Sequence, residues 1–318
     1  MAGPARNAPN SRNRSPASGK NAAALLPGTV VAAFGRQYQV RLDDDGQPLL
    51  CFPRGKKSEI ACGDRVLVER SAPDQGVIEA VAPRDSLLYR SNEFRQKLIA
   101  ANVTQIAIVV ATEPSFYDDL VTRCLVAAED QEIRAVIVLN KCDLADRLAD
   151  ARARLAPLAA LGYPVIELSA LEGAGLDELR ARLAGQVTVL VGQSGMGKST
   201  LTNALVPEAQ AATREISEAL DSGKHTTTHA RLYPLPDDPE GGALIDSPGL
   251  QDFGLHHLGK GALEYAFPEF RPLLGQCRFR DCRHDQEPGC VLQAALAAGQ
   301  LDPRRFATFR QLLAGAEA

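Results

Sequence analysis

Five short segments of this 318-residue chain carry residue types at spacings suited to chemistry. The first is Gly192-Gln193-Ser194-Gly195-Met196-Gly197-Lys198-Ser199, followed by Thr200. Its glycines let the backbone turn N–H groups onto phosphate oxygens, Lys198 suits the β- and γ-phosphates, and Ser199 suits Mg²⁺. Asn140-Lys141-Cys142-Asp143 ends in a carboxylate able to accept two N–H bonds from guanine, which adenine cannot match. Ser169-Ala170 offers backbone to support the base. Asp246-Ser247-Pro248-Gly249 supplies a carboxylate for Mg²⁺, through water, and an amide for a γ-phosphate. Finally, Cys277, Cys282, His284 and Cys290 place three sulfurs and one imidazole within 14 residues. That donor set fits one tetrahedral zinc with no open position, hence a structural ion; free thiols or a disulfide are the alternatives.

Residues between these segments add candidates for a switch. Gly223-Lys224-His225-Thr226-Thr227-Thr228 lies between the phosphate loop and Asp246. A threonine there can close over Mg²⁺ and the γ-phosphate; Thr226 and Thr227 are both candidates, and Thr227 is taken with Ser199 and Asp246 as the Mg²⁺ set. Leu250 stands where many GTPases keep a water-orienting glutamine, and leucine cannot polarise water. Intrinsic hydrolysis should therefore be slow or borrow a group from elsewhere. His225 and His257 are candidates to reach the attacking water, or they are surface histidines.

These groups need strand ends and tight loops to hold them. Val187–Val191 is a strand running into the phosphate loop, and 200–205 is the helix after it, the context that motif demands. Strands at 104–111, 134–139, 164–168 and 242–245 alternate with helices near 117–130, 144–160 and 176–184. This predicts a largely parallel sheet with helices on both faces, and ligands at its carboxyl edge. Upstream, short strands at 28–34, 37–42, 48–52, 65–69 and 76–81 predict a small five-stranded barrel, of which the OB-fold is the best known. Arg54, Lys56 and Lys57 lie in a loop that is either a nucleic-acid contact or a solvated basic turn. After residue 260 the pattern is mainly helical.

Composition bounds the class. At 45% hydrophobic and 23% charged, with a net charge of -4, the chain can bury a core and is not built to coat nucleic acid wholesale. No apolar run reaches the roughly 18 residues of a membrane helix, and the N-terminus lacks a signal-peptide apolar core, so a cytoplasmic location is expected. Cys51, Cys62, Cys124 and Cys142 are scattered, a poor disulfide framework suited to a reducing compartment. Residues 1–24, with Arg6, Arg12, Arg14, Lys20 and no acidic neighbour, read as a disordered basic tail, solvated or RNA-touching.

The order of the parts is unusual. The base-reading Asn140–Asp143 precedes the phosphate loop, and Asp246 follows both, whereas an ordinary small GTPase starts with its phosphate loop. In this order, in Lys97–Val103, in Leu125–Glu129, in His225–Thr228 and in its Cys/His spacing, the chain resembles the RsgA family of circularly permuted, small-ribosomal-subunit-dependent GTPases. The resemblance implies a multidomain α/β protein. A tail (1–24) precedes an OB-fold β-barrel (25–86), a circularly permuted P-loop GTPase domain (87–258) and a mainly helical zinc-binding domain (259–318). It implies a Mg²⁺-dependent GTP hydrolase that binds GTP and GDP. Such an enzyme would act late in maturation of the small ribosomal subunit, be activated by that subunit and its rRNA, and leave after hydrolysis. Basic residues Arg278, Arg280 and Arg283 on the zinc segment suit RNA or only solubility. A monomer without membrane attachment is expected. Rival readings are an RNA-binding module that uses nucleotide only for stability, and a permuted GTPase of another ribosomal particle.

Overall fold

The computed structural model describes residues 24–44, 46–55, 59–91, 96–209, 230–247 and 253–316. The tail at 1–23, Lys56 and Lys57 lie outside the described residues.

Five strands open the chain: β1 (Leu25–Phe34), β2 (Gln37–Leu42), β3 (Pro48–Pro53), β4 (Arg65–Ala72) and β5 (Gln75–Val81). In β2 every second side chain is buried, the period that a half-buried strand requires. β1–β2, β2–β3, β4–β5 and β1–β4 pair antiparallel, and β3–β5 pair parallel. The ring closes as β1-β2-β3-β5-β4, the expected OB-fold, and leaves no free edge. Val30, Tyr38, Val40, Leu49, Val66, Val68 and Ile78 fill it as a core of their own. Arg54 on its surface is bound by Glu69 and Glu79.

A hairpin of β6 (Leu87–Ser91) and β7 (Gln96–Ala101) follows. Sequence pattern missed it, because its strands are short and are ordered by packing: Leu88, Ile99 and Ala100 join the core of the second sheet.

That sheet contains β8 (Gln105–Ala111), β9 (Arg134–Asn140), β10 (Val165–Glu167), β11 (Val187–Val191), β12 (Arg231–Pro234) and β13 (Ala243–Asp246). Its order is β10-β9-β8-β11-β13-β12, parallel except for β12. β8 is buried along its whole length, as a central parallel strand with both faces covered must be. The helices are α1 (Asp118–Asp130), α2 (Leu148–Ala160), α3 (Leu176–Leu183) and α4 (Lys198–Leu205). β12 was not foreseen: four residues are too few to show a period, and the strand is fixed by pairing to β13 and, through Arg231, to Ala32 of β1.

The chain ends with α5 (Lys260–Tyr265), α6 (Val291–Ala297) and α7 (Pro303–Ala316). Phe267, Phe270, Phe306 and Phe309 interlock there, Phe270 and Phe309 edge-to-face at 5.0 Å. They belong to the same continuous core as the parallel sheet, so the C-terminal helices are packed onto it rather than tethered. Among the described residues no helix is long and apolar enough to cross a membrane.

Within the barrel unit, a buried carboxylate is held by a partly exposed guanidinium. Asp64 is fully buried and accepts from Arg84 Nε at 2.7 Å, Arg84 Nη2 at 2.7 Å and Ala61 N at 2.7 Å. Asn102, between β7 and β8, donates to Gly63 O at 2.9 Å and ties the barrel to the chain entering the sheet. Removing Asp64 takes the acceptor from both the Arg84 guanidinium, 20% exposed, and the Ala61 amide. Asp64→Ala is expected to cost about 3 kcal/mol, measured as the loss of stability in denaturant unfolding, against a negligible loss for the exposed Asp177→Ala.

Candidate nucleotide and metal sites

The carboxyl ends of β8, β9, β10, β11 and β13 converge on one edge of the sheet, and loops from all of them meet there. Asn140, at the end of β9, is 2% exposed and bonds in three directions. Its Oδ1 accepts from Lys141 N at 2.8 Å and Ala170 N at 3.0 Å, and its Nδ2 donates to Met196 O at 2.9 Å. One side-chain amide therefore fastens the base-reading loop, the Ser169-Ala170 loop and the phosphate loop together. The approach is so close that a Cβ on Gly197, whose φ is +88°, would lie 2.3 Å from Asn140 Nδ2. A Cβ on Gly192 would lie 2.2 Å from Val109 O. These glycines are required by contact as well as by backbone conformation.

Lys141 extends across the phosphate loop and donates to Gly195 O at 2.8 Å and Glu113 O at 2.8 Å. Thr112 Oγ1 donates to Lys141 O at 2.9 Å, and Cys142 N donates to Leu168 O at 3.1 Å. Asp143 is left exposed, with its carboxylate free to meet a ligand from solvent, while Ser169 is buried and accepts from Glu172 N at 3.2 Å. Gln193 accepts from Tyr117 N at 2.7 Å, and Met196 is buried beneath the loop. Ser194 and Thr200 are exposed on it. Sequence reasoning missed Thr112, Glu113 and Tyr117, which act by backbone or tertiary contact and belong to no motif.

Lys198 and Asp246 form the charged centre. Lys198 is 7% exposed and donates from Nζ to Gly192 O at 2.7 Å and Gln193 O at 2.8 Å, capping its own loop. Burial lowers its pKa, and Asp246 and Cys124 partly oppose that shift. Asp246 is 6% exposed, and its Oδ1 is buried with no hydrogen-bond partner among the described residues. Burial raises its pKa to about 6, and nearby Lys198 offsets only part of the rise. A buried carboxylate oxygen of this kind fits a hydrated divalent cation. Ser247 fixes the strand end by donating to Leu190 O at 2.6 Å.

Gly223–Thr228, including His225, Thr226 and Thr227, and Gly249 and Leu250 lie outside the described residues. His257 is described. Its ring lies against Tyr89 of β6, tilted by 38° with centroids 4.3 Å apart, and burial lowers its pKa, with Asp130 opposing.

The four predicted metal ligands come together. His284 Nδ1 lies 3.6 Å from Cys277 Sγ, 3.6 Å from Cys282 Sγ and 3.4 Å from Cys290 Sγ. All four donor atoms lie within 4.8 Å of one another. A tetrahedral ion with thiolate and imidazole ligands has S···N edges of about 3.5 Å. These residues can therefore hold a metal of that size. His284 Nε2 meets Glu264 Oε1 at 2.8 Å, which fixes the tautomer and leaves Nδ1 to ligate. Glu264 lies 20 residues upstream on α5 and carried no sequence signal. Arg278 rests over Phe279 at 5.5 Å on the same knob.

Residues 81–256 match a family described as the RsgA GTPase. The "Small ribosomal subunit biogenesis GTPase RsgA" of Burkholderia pseudomallei (strain K96243) is 59% identical over 289 residues, covering 90% of this chain and 91% of that protein. The chain belongs to the RsgA GTPase family. Its fold agrees with family structure: a crystal structure of YjeQ from Thermotoga maritima superposes with TM-score 0.69 at 30% identity, over 93% of this chain and 99% of the other. A crystal structure described as YloQ, a circularly permuted GTPase, superposes with TM-score 0.65 at 24% identity over 94% and 98%. Membership of the RsgA GTPase family makes the chain a GTP hydrolase, in keeping with the phosphate loop and base-reading loop joined at Asn140.

Asp246 gives this site a pH signature. Its folded-state pKa of about 6 lies above its ordinary value of 3.8, so its contribution to stability is greatest below the lower value and is lost as pH rises through the upper. The gap corresponds to about 3 kcal/mol at alkaline pH. Without nucleotide or metal, Asp246→Asn should melt above wild type at pH 8 and lose that advantage as pH falls from 6 to 4. Thermal melts across that range read it directly.

Proposed function

We propose that the protein is a Mg²⁺-dependent GTPase that acts as a maturation switch on the small ribosomal subunit, activated by that subunit and its rRNA and released on hydrolysis. The observation that carries the reading is the 59% identity, across 90% of the chain, to a protein named for small-subunit biogenesis. We assign the site residues as follows. Asp143 reads the guanine edge, with Lys141, Cys142, Ser169 and Ala170 shaping its pocket. Asn140 holds the loops in register. Gly192 to Thr200 wrap the phosphates, Lys198 turning from its own carbonyls to the β- and γ-oxygens. Ser199, Thr227 or its neighbour Thr226, and Asp246 hold Mg²⁺, and the Gly249 amide meets the γ-phosphate. Bound Mg²⁺ would neutralise charge on the phosphates.

His257, or His225, is the group that orients the attacking water. Either histidine would have to swing toward that water: His257 lies against Tyr89 and near Asp130, at the end of α1 opposite Tyr117 and the phosphate loop. Leu250 supplies no such group. The OB-fold barrel (25–86) and the C-terminal unit (259–318) contact rRNA on either side of the GTPase unit (87–258). We assign the protein to the cytoplasm as a monomer, one chain carrying every nucleotide motif and the whole Cys/His set.

Purified small subunits should raise GTP turnover by an order of magnitude or more, about 10-fold at the least for a supplied catalytic group. Equal turnover with small subunits, large subunits and no ribosome would refute the assignment.

The Cys277, Cys282, His284 and Cys290 set is assigned one structural Zn²⁺. Metal analysis of the purified protein should give one zinc per chain. Cys282→Ser should reduce that content and lower the melting temperature, while nucleotide binding persists.

A further inference from the structure

One loop outside every recognised motif grips the nucleotide site, and it is held from the C-terminal helix. Residues 113–118 leave β8 and lead into α1. They meet the phosphate-binding machinery at three points. Glu113 O accepts from Lys141 Nζ at 2.8 Å, the same ammonium that binds Gly195 O. Pro114 lies 3.4 Å from where a Cβ on Gly195 would sit. Tyr117 N donates to Gln193 at 2.7 Å.

The other side of the loop is clamped by two guanidinium groups. Arg154 of α2 donates to Phe116 O at 2.5 Å and Ser115 Oγ at 2.7 Å, and it lies over the Phe116 ring at 4.0 Å. Asp118, at the start of α1, stands between Arg154 at 3.2 Å and Arg304 of α7 at 3.5 Å. Arg304 also donates to Arg154 O at 3.2 Å and to Asp302 at 3.0 Å. A carboxylate shared by two cations joins three elements whose sequence positions are far apart.

We propose that Arg304 and Asp118 position the phosphate loop through residues 113–118, so that the placement of the C-terminal helix α7 sets how fast guanine nucleotide leaves. This rests on the assignment of Gly192–Thr200 and Asn140–Asp143 as the guanine-nucleotide site. Releasing the clamp frees Tyr117 and Glu113 to move, which loosens Gln193, Gly195 and Lys141 together. A partner that shifts α7 would then promote nucleotide exchange without touching the nucleotide.

The test is the dissociation rate of a fluorescent GDP analogue from the full-length protein. Measurable binding to wild type comes first: its absence overturns the site assignment, independently of the clamp. Given binding, Arg304→Gln and Asp118→Asn should each speed release about two- to fivefold, the range of a partly exposed charge contact. Their double variant should be no faster than the faster single one, because both remove the same link. Arg310→Gln is the control, since Arg310 lies on the same helix but pairs with Asp285. Unchanged release in the first two variants, additive effects in the double variant, or equal acceleration by Arg310→Gln would overturn the proposal. If Arg304→Gln fails to fold, Asp118→Asn alone carries the same prediction against the same control.

Discussion

A buried amide needs hydrogen-bond partners, and Asn140 finds them on three separate loops. Its partners lie on the base-reading loop, on the loop after β10 and on the phosphate loop, 56 residues further along the chain. The rest of the site depends on this arrangement. Gly197 has to be glycine because the amide nitrogen occupies the space of a side chain. Lys141 repeats the logic with a charge, spanning Gly195 and Glu113. Since these bonds act through space, the order in which the loops occur along the chain is free to rotate, and this family uses that freedom.

The rotation determines what each half of the site is wired to. The base-reading half follows the barrel, which Asn102 ties to the chain entering β8. Asp246 leads, after about 30 residues, into the metal cluster. The two ends are not independent, because one continuous core runs from the parallel sheet into the phenylalanine cluster of the C-terminal helices. Ion pairs between Arg271 and Glu129 and between Arg304 and Asp118 cross the same boundary. The C-terminal helices and the parallel sheet are therefore packed as one core.

The cost of function is visible at Lys198 and Asp246. Burial pushes both toward neutrality, the lysine down and the aspartate up, and neither shift is cancelled by the other charge. Lys198 borrows carbonyls from its own loop, and one oxygen of Asp246 has no partner among the described residues. Such unrelieved polarity is tolerated where a ligand is due to relieve it.

Much of this was legible in the residues alone. Glycine spacing and the Cys277, Cys282, His284 and Cys290 set that comes together are local chemistry, and a run such as Ile106–Val110 allows little besides a buried strand. The barrel was legible for the same reason, through alternation within single strands. The hairpin β6–β7, the edge strand β12, Glu264 behind His284 and the Arg154–Asp118–Arg304 clamp were not. Each is defined by a partner distant in sequence, and a short strand or a lone charge carries no period to announce it. The sequence determined which groups can bind phosphate, base and metal, because that is a property of the groups themselves. The tertiary structure decided which of them meet and which helix holds the loops in place, because only packing brings distant residues within bonding distance.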